Sequence, residues 1–130
     1  MSDPDDIKNI TTPIDNRLYR LVDQVPVHCS LAEFAEWMSD EANRIVAQNM
    51  VGELQVSTVF TGIDQNWNNG GDPLLFETMV FGLPDDLRPQ WSFSTWDEAM
   101  EIHNLLISVL TEHGQEPLLA EIRKKQTPTG

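Results

Sequence analysis

Apolar residues recur at strand-like spacing between residues 17 and 93 and predict about five β-strands. The predicted strands are residues 17–22, 25–29, 44–50, 54–61 and 74–81, and residues 90–93 can add a short one. The run at 74–81, LLFETMVF, is apolar on both alternating faces except at Glu77 and Thr78. Such a pattern predicts an interior strand that is covered on both sides.

Two segments carry the spacing and the start signals of amphipathic helices. In each, a Ser or Thr is followed three residues later by Glu, which is the pattern of a capping box. The apolar stripes that follow predict helices at about residues 31–43 and 96–113. Pro117 interrupts the chain after the second helix, so we expect only a weak helix at about residues 118–125.

The order of these elements predicts an α+β fold, an antiparallel sheet with two amphipathic helices packed on it. Residues 17–125 then form a single domain. Residues 1–16 hold three acids in the first six positions and two prolines, so we expect a flexible acidic tail. A second flexible tail is expected at residues 126–130.

Charge narrows the partners that we expect. The chain has 21 acidic and 8 basic residues, a formal net charge of -13. This argues against direct binding to nucleic acid or to an anionic membrane, because both need clustered Lys and Arg. The negative charge is consistent with a protein that its surface charge keeps soluble. It is also consistent with an acidic decoy that occupies a basic nucleic-acid-binding surface.

The compartment is inferred from cysteine use and from the N-terminus. Cys29 is the single cysteine, so no internal disulfide can form. The N-terminus has no signal-peptide pattern, and no apolar run reaches the length of a membrane span. We therefore expect a cytoplasmic protein, and no cofactor or metal motif is present.

Two motifs, STVFxGxDxN at residues 57–66 and PLLFETMVFG at residues 73–82, resemble those of a family of small uncharacterised phage and prophage proteins. Further matches are STWxEA at residues 94–99, Leu18-Tyr19-Arg20 and Trp37. The resemblance covers about residues 17–113 and implies a phage-encoded protein that acts in the bacterial cytoplasm. The family has no assigned activity, cofactor or site residue. Its loop reads Asp-His-Asn where this chain has Gln65, so no role for an imidazole is implied at that position.

The polar loop at residues 62–73 is the most chemically suggestive segment. Asp64, Asn66 and Asn68 match the first three oxygen-ligand positions of a calcium loop. Asn69 stands where that loop needs Gly, and Leu75 where it needs a bidentate Glu. We therefore expect no metal site, and we interpret the Asn, Asp and Gly residues as those that let the backbone form turns.

The same loop is longer than most hairpins need, and long loops on rigid scaffolds often carry function. We therefore predict a binding epitope here, with Trp67 as its apolar anchor. Two residues outside the loop join the candidates, because a carboxylate within an apolar strand needs a partner and a histidine lies on an apolar helix stripe. The candidate binding residues are Asp64, Asn66, Trp67, Asn68, Asp72, Glu77 and His103.

Glu77 and His103 each have a structural and a functional interpretation. Glu77 can pair with Arg20, Arg44 or His103, lie at a half-exposed position, or act as a catalytic acid. His103 can be a satisfied core residue or a ligand. The sequence also leaves open a catalytic pair of Cys29 and a histidine.

The leading functional hypothesis is a noncatalytic accessory protein that binds a host or phage protein, in counter-defence or host takeover. The alternative is a binding protein for a small ligand such as a nucleotide signal. The third is an enzyme that uses Glu77 or His103 with Asp64, for which no recognisable catalytic set is present. Homo-oligomerisation is left open.

Overall fold

The computed structural model describes residues 17–66 and 70–126. The predicted tails lie outside these ranges, except for Gln126 at the end of the last helix. Six strands and three α-helices follow one another: β1 Tyr19–Val22, β2 Val25–His28, α1 Leu31–Met38, β3 Ile45–Val51, β4 Leu54–Phe60, β5 Phe76–Phe81, β6 Gln90–Phe93, α2 Trp96–His113 and α3 Glu116–Gln126. The predicted α+β class is confirmed.

The strands form two antiparallel sheets rather than the single sheet that we predicted. β1 and β2 form a two-stranded hairpin, and the larger sheet has the order β3-β4-β5-β6. A tight turn joins β3 to β4, where Val51 pairs with Leu54 and Gly52 takes a φ of 61°. A backbone bridge between Leu18 and Ile63 ties the hairpin to the end of β4.

One face of the four-stranded sheet packs against α2. Val56 and Phe60 of β4 and Phe76 and Val80 of β5 are almost fully buried on this face. They alternate with less buried residues because successive side chains of a strand point to opposite faces. α2 contributes the opposing residues, which are Ala99, His103, Leu106 and Leu110. α3 packs on α2 and buries Leu118 and Leu119 in the same core.

The other face of the sheet carries no helix layer in the described part of the chain. The burial of β5 alternates between buried and half-buried, and Met50 at the sheet margin is 62% exposed. We call this surface the open face and define it by Ile45, Gln48, Met50, Ser57, Val59, Glu77 and Met79. β5 is interior as predicted, since it lies between β4 and β6. We predicted cover on both of its sides, and among the described residues only one side has a helix layer.

Two helices differ in length from the predictions, for local reasons. α1 ends at Met38, and Asp40 starts a short 3-10 helix by accepting a hydrogen bond from the backbone of Ala42 at 3.0 Å. Ser and Asp compete with the helical backbone in this way. α3 begins at Glu116, before Pro117. Proline is tolerated in a first helical turn, where its missing N–H has no partner to lose, so the segment is a longer helix than predicted.

Candidate binding groove on the open face

A groove of about 550 Å³ lies between α1 and the open face. Phe34 and Met38 of α1 form one wall, and Ile45 and Val59 of the sheet lie on the other. Binding sites for small ligands or peptide side chains commonly have this size and combine apolar walls with polar groups, which here are Glu41, Arg44, Gln48, Thr61 and Glu77. The groove is therefore the concave site that best fits a binding role.

Gly62 brings α1 close to the sheet. Its φ is 74°, a conformation that favours glycine, and the backbone N–H of Tyr19 donates to its carbonyl at 2.8 Å. A Cβ at this position would lie 2.5 Å from Met38 Cε and 2.7 Å from Phe34 Cε1. The two apolar side chains of the groove wall thus rest directly on this glycine.

Glu77 supplies a negative charge to the groove. It is half-buried on β5, directly between Val59 of β4 and Ser92 of β6. Among the described residues no hydrogen bond or ion pair joins its carboxylate. Arg44 also lines the groove, but its guanidinium lies 3.8 Å from Glu41 in an exposed pair. The carboxylate of Glu77 is therefore available to a cation of a ligand.

His103 lies on the opposite side of the sheet from Glu77. It is fully buried between α2 and the sheet, where its Nδ1 is 2.7 Å from the Thr58 hydroxyl and its Nε2 is 2.8 Å from Asn49 Oδ1. The Thr58 hydroxyl is in turn 2.7 Å from that of Thr78. His103, one of the three partners suggested for Glu77, is not its partner, because the sheet separates the two side chains.

The hydrogen-bond partners determine the protonation of His103. Asn49 Oδ1 is an acceptor, so Nε2 carries the hydrogen and Nδ1 accepts from Thr58. Burial lowers the pKa of His103, which favours this neutral form. The ring is a satisfied core residue, the first of its two predicted interpretations.

The loop that we predicted as the epitope is held by its own hydrogen bonds. Asp64 Oδ1 accepts from the backbone N–H groups of Asn66 and Leu74, at 2.8 and 3.0 Å. Arg17 donates to the carbonyl of Asn66 at 3.1 Å and lies 3.7 Å from Asp64 Oδ2. Asn66 donates to the carbonyls of Gly70 and Asp72. Asp64 and Asn66 therefore act within the loop as structural residues.

The remaining loop candidates are less engaged. Asp72 is exposed. Trp67 and Asn68 lie outside the described residues. In the parts of the chain that the structure describes, no group of three or more His, Cys, Asp or Glu side chains could hold a metal ion.

Cys29 and the nearby histidine do not form a reactive pair. The thiol is buried, and burial, followed by the negative charge of Glu33, raises its pKa, against a lowering by Arg20. His28 Nε2 is instead 3.0 Å from the Tyr19 hydroxyl. A raised pKa keeps the thiol protonated, so Cys29 lacks the thiolate that a nucleophile needs.

The structure thus places the predicted candidates Asp64, Glu77 and His103 at three separate points: the loop, the open face and the helix side. The groove residues Phe34, Met38, Arg44, Ile45 and Val59 were not predicted as a site. No signal in the sequence distinguishes this face, because the strands carry apolar residues on both faces and two helices are predicted to cover them.

No protein-family model, curated protein or solved structure matches the chain. No helix of the described segments is long and apolar enough to cross a membrane.

Proposed function

We propose that this protein is a noncatalytic binding protein, and that it takes an apolar, positively charged segment of a partner protein into the groove on the open face. The carboxylate of Glu77, which has no partner among the described residues and lies beside the apolar side chains of Val59 and Ile45, carries the proposal. A Lys or Arg of a ligand would give this carboxylate a charge-assisted hydrogen bond, which is stronger than a neutral one.

The charge of the whole chain supports a basic partner. A net charge of -13 attracts cationic surfaces and speeds their encounter. In the phage setting that the sequence resemblance implies, the partner is a host or phage protein with a basic surface. Occupation of such a surface would make the protein an acidic decoy, in counter-defence or host takeover.

Affinity capture from a bacterial lysate with two charge variants tests the proposal. Glu77→Lys reverses the charge in the groove, and Asp72→Lys makes the same change of charge on the exposed loop. We expect the wild type and Asp72→Lys to retain the same basic protein and Glu77→Lys to lose it. Equal loss of the captured protein with both variants would mean that net charge alone attracts it. Loss with Asp72→Lys alone would mean that the partner binds the loop and not the groove.

A small-ligand binder is the second candidate, and the volume of the groove favours it, since about 550 Å³ suits a compact organic molecule. The negative charges of Glu77 and Glu41 disfavour an anionic nucleotide, the ligand that the sequence-based alternative names. A thermal-shift comparison of n-hexylammonium, n-hexanol and n-hexanoate separates the charge preference from the apolar contribution. Greater stabilisation by the cation than by the alcohol, removed by Glu77→Gln, supports cation recognition in the groove.

A further inference from the structure

The two outer strands of the larger sheet differ in their protection. β6 has four residues and follows directly after Pro89. β3 has seven residues, none of which is charged or proline. Sheets protect their exposed edges by short strands, charges, proline or bulges, and an edge without them is open to pairing with another strand.

Most of β3 has the geometry needed for such pairing. Its register to β4 shifts between Ile45 and Ala47, and residues 47–51 then pair regularly. Within the described ranges, no backbone hydrogen bond joins the outer side of these residues to another element. Residues 47–51 therefore form a regular edge with unpaired backbone groups.

The charges at the two ends of β3 indicate the occupant. Arg44 precedes the strand and Glu53 lies in the turn that follows it. A parallel copy would bring like charges together. An antiparallel copy centred on Asn49 places Ala47 opposite Val51, so the end that carries Arg44 in each copy lies near the turn that carries Glu53 in the other.

We infer that the chain forms a twofold symmetric dimer by antiparallel pairing of residues 47–51 with the same residues of a second copy. Gln48 then lies opposite Met50 of the other copy, so the exposed Met50 gains a cross-strand neighbour. The sheets of the two copies join into one, with both open faces, and hence both grooves, on the same side.

The dimer is a weak one. Pairing of five residues buries far less than the roughly 1,200 Å² of a small standard interface. The net charge of each copy opposes association, although salt at about 0.15 M screens charges beyond roughly 8 Å and leaves the adjacent Arg44–Glu53 pairs effective. We expect a dissociation constant of about 10–100 µM.

Two complementary variants test the interface. Arg44→Glu and Glu53→Arg each place two pairs of like charges in their own homodimer. When the two variants are mixed, the mixed dimer has an opposite-charge pair at both ends. Sedimentation and native mass spectrometry measure the three equilibria.

The wild type should dimerise, each variant alone should dimerise at least about tenfold more weakly, and the mixture should recover to within about threefold of the wild type, tenfold being about 1.4 kcal/mol. A wild type that stays monomeric at about 1 mM, well above the expected dissociation constant, overturns the inference. The inference is also overturned if each single variant dimerises as strongly as the wild type, or if the mixture dimerises no more strongly than the single variants. If Arg44→Glu fails to fold, Glu53→Arg decides alone, because its side chain lies in an exposed turn.

Discussion

His103 shows at the residue scale how a polar side chain is accommodated in an apolar core. Thr78, Thr58, His103 and Asn49 form one hydrogen-bonded chain across three strands and α2. Each member between the ends both donates and accepts, because Nε2–H donates to Asn49 and Nδ1 accepts from Thr58. The sequence predicted the stripe position of His103 but could not predict the chain, since its members are separated by up to 54 positions.

The order of donors and acceptors in this hydrogen-bonded series predicts unequal losses of stability for two similar substitutions. Thr58→Val removes the donor to His103 and the acceptor of Thr78, so it should lower the free energy of unfolding by about 1–3 kcal/mol. Thr78→Val removes only a donor to Thr58 and should cost about 0.5–1.5 kcal/mol. Urea denaturation measures both, and an equal or larger cost for Thr78→Val would contradict the assigned direction.

The lowered pKa of His103 predicts a loss of stability in acid. The unfolded state binds the proton more readily, so the stabilising contribution is complete above pH of about 6.5 and decreases as the pH falls towards the folded-state pKa. The slope in this window reaches about 1.4 kcal/mol per pH unit. Denaturation of the wild type and of His103→Leu at pH 7.5 and 5.5 checks this. A wild type with the same pH dependence as the variant would refute it.

At the scale of elements, start signals were the most reliable guide. The capping box at Ser30 is present, with Glu33 N–H donating to Ser30 Oγ at 3.2 Å, and Thr95 caps α2 in the same way from Glu98. α2 has the predicted bounds. The open face could not be predicted, because an apolar strand pattern is the same whether a helix or only a groove lies above it.

The packing of α1 against Gly62 predicts that a side chain at this position lowers the stability of the protein. Gly62→Ala adds a left-handed strain of about 1–2 kcal/mol and crowds Phe34 and Met38 as well. Gly52→Ala is the matched control, since its φ is 61° and no atom lies within 4 Å of the added Cβ. The free energy of unfolding should fall by at least about 1 kcal/mol more for Gly62→Ala than for Gly52→Ala. Equal losses would mean that α1 does not rest on this glycine.

For the whole molecule, a single layer of helices and a strong negative charge act together. α2 and α3 cover one face of the sheet, and no helix layer among the described residues covers the opposite face and its groove. The net charge of -13 favours cationic partners of the chain as a whole. Composition predicts a positively charged partner, whereas the groove that we propose depends on which sheet face α2 covers, and the sequence does not determine that face.

The methyl groups of the methionines provide the most direct test of the groove as the binding site. Met38 lines the groove, Met79 lies on the open face, and Met100 on α2 is an internal control. In a titration with n-hexylammonium followed by methyl NMR, we expect saturable shifts of Met38 and Met79, little change at Met100, and much weaker shifts with n-hexanoate. Shifts of equal size at Met100, or equal responses to the cation and the anion, would contradict the account.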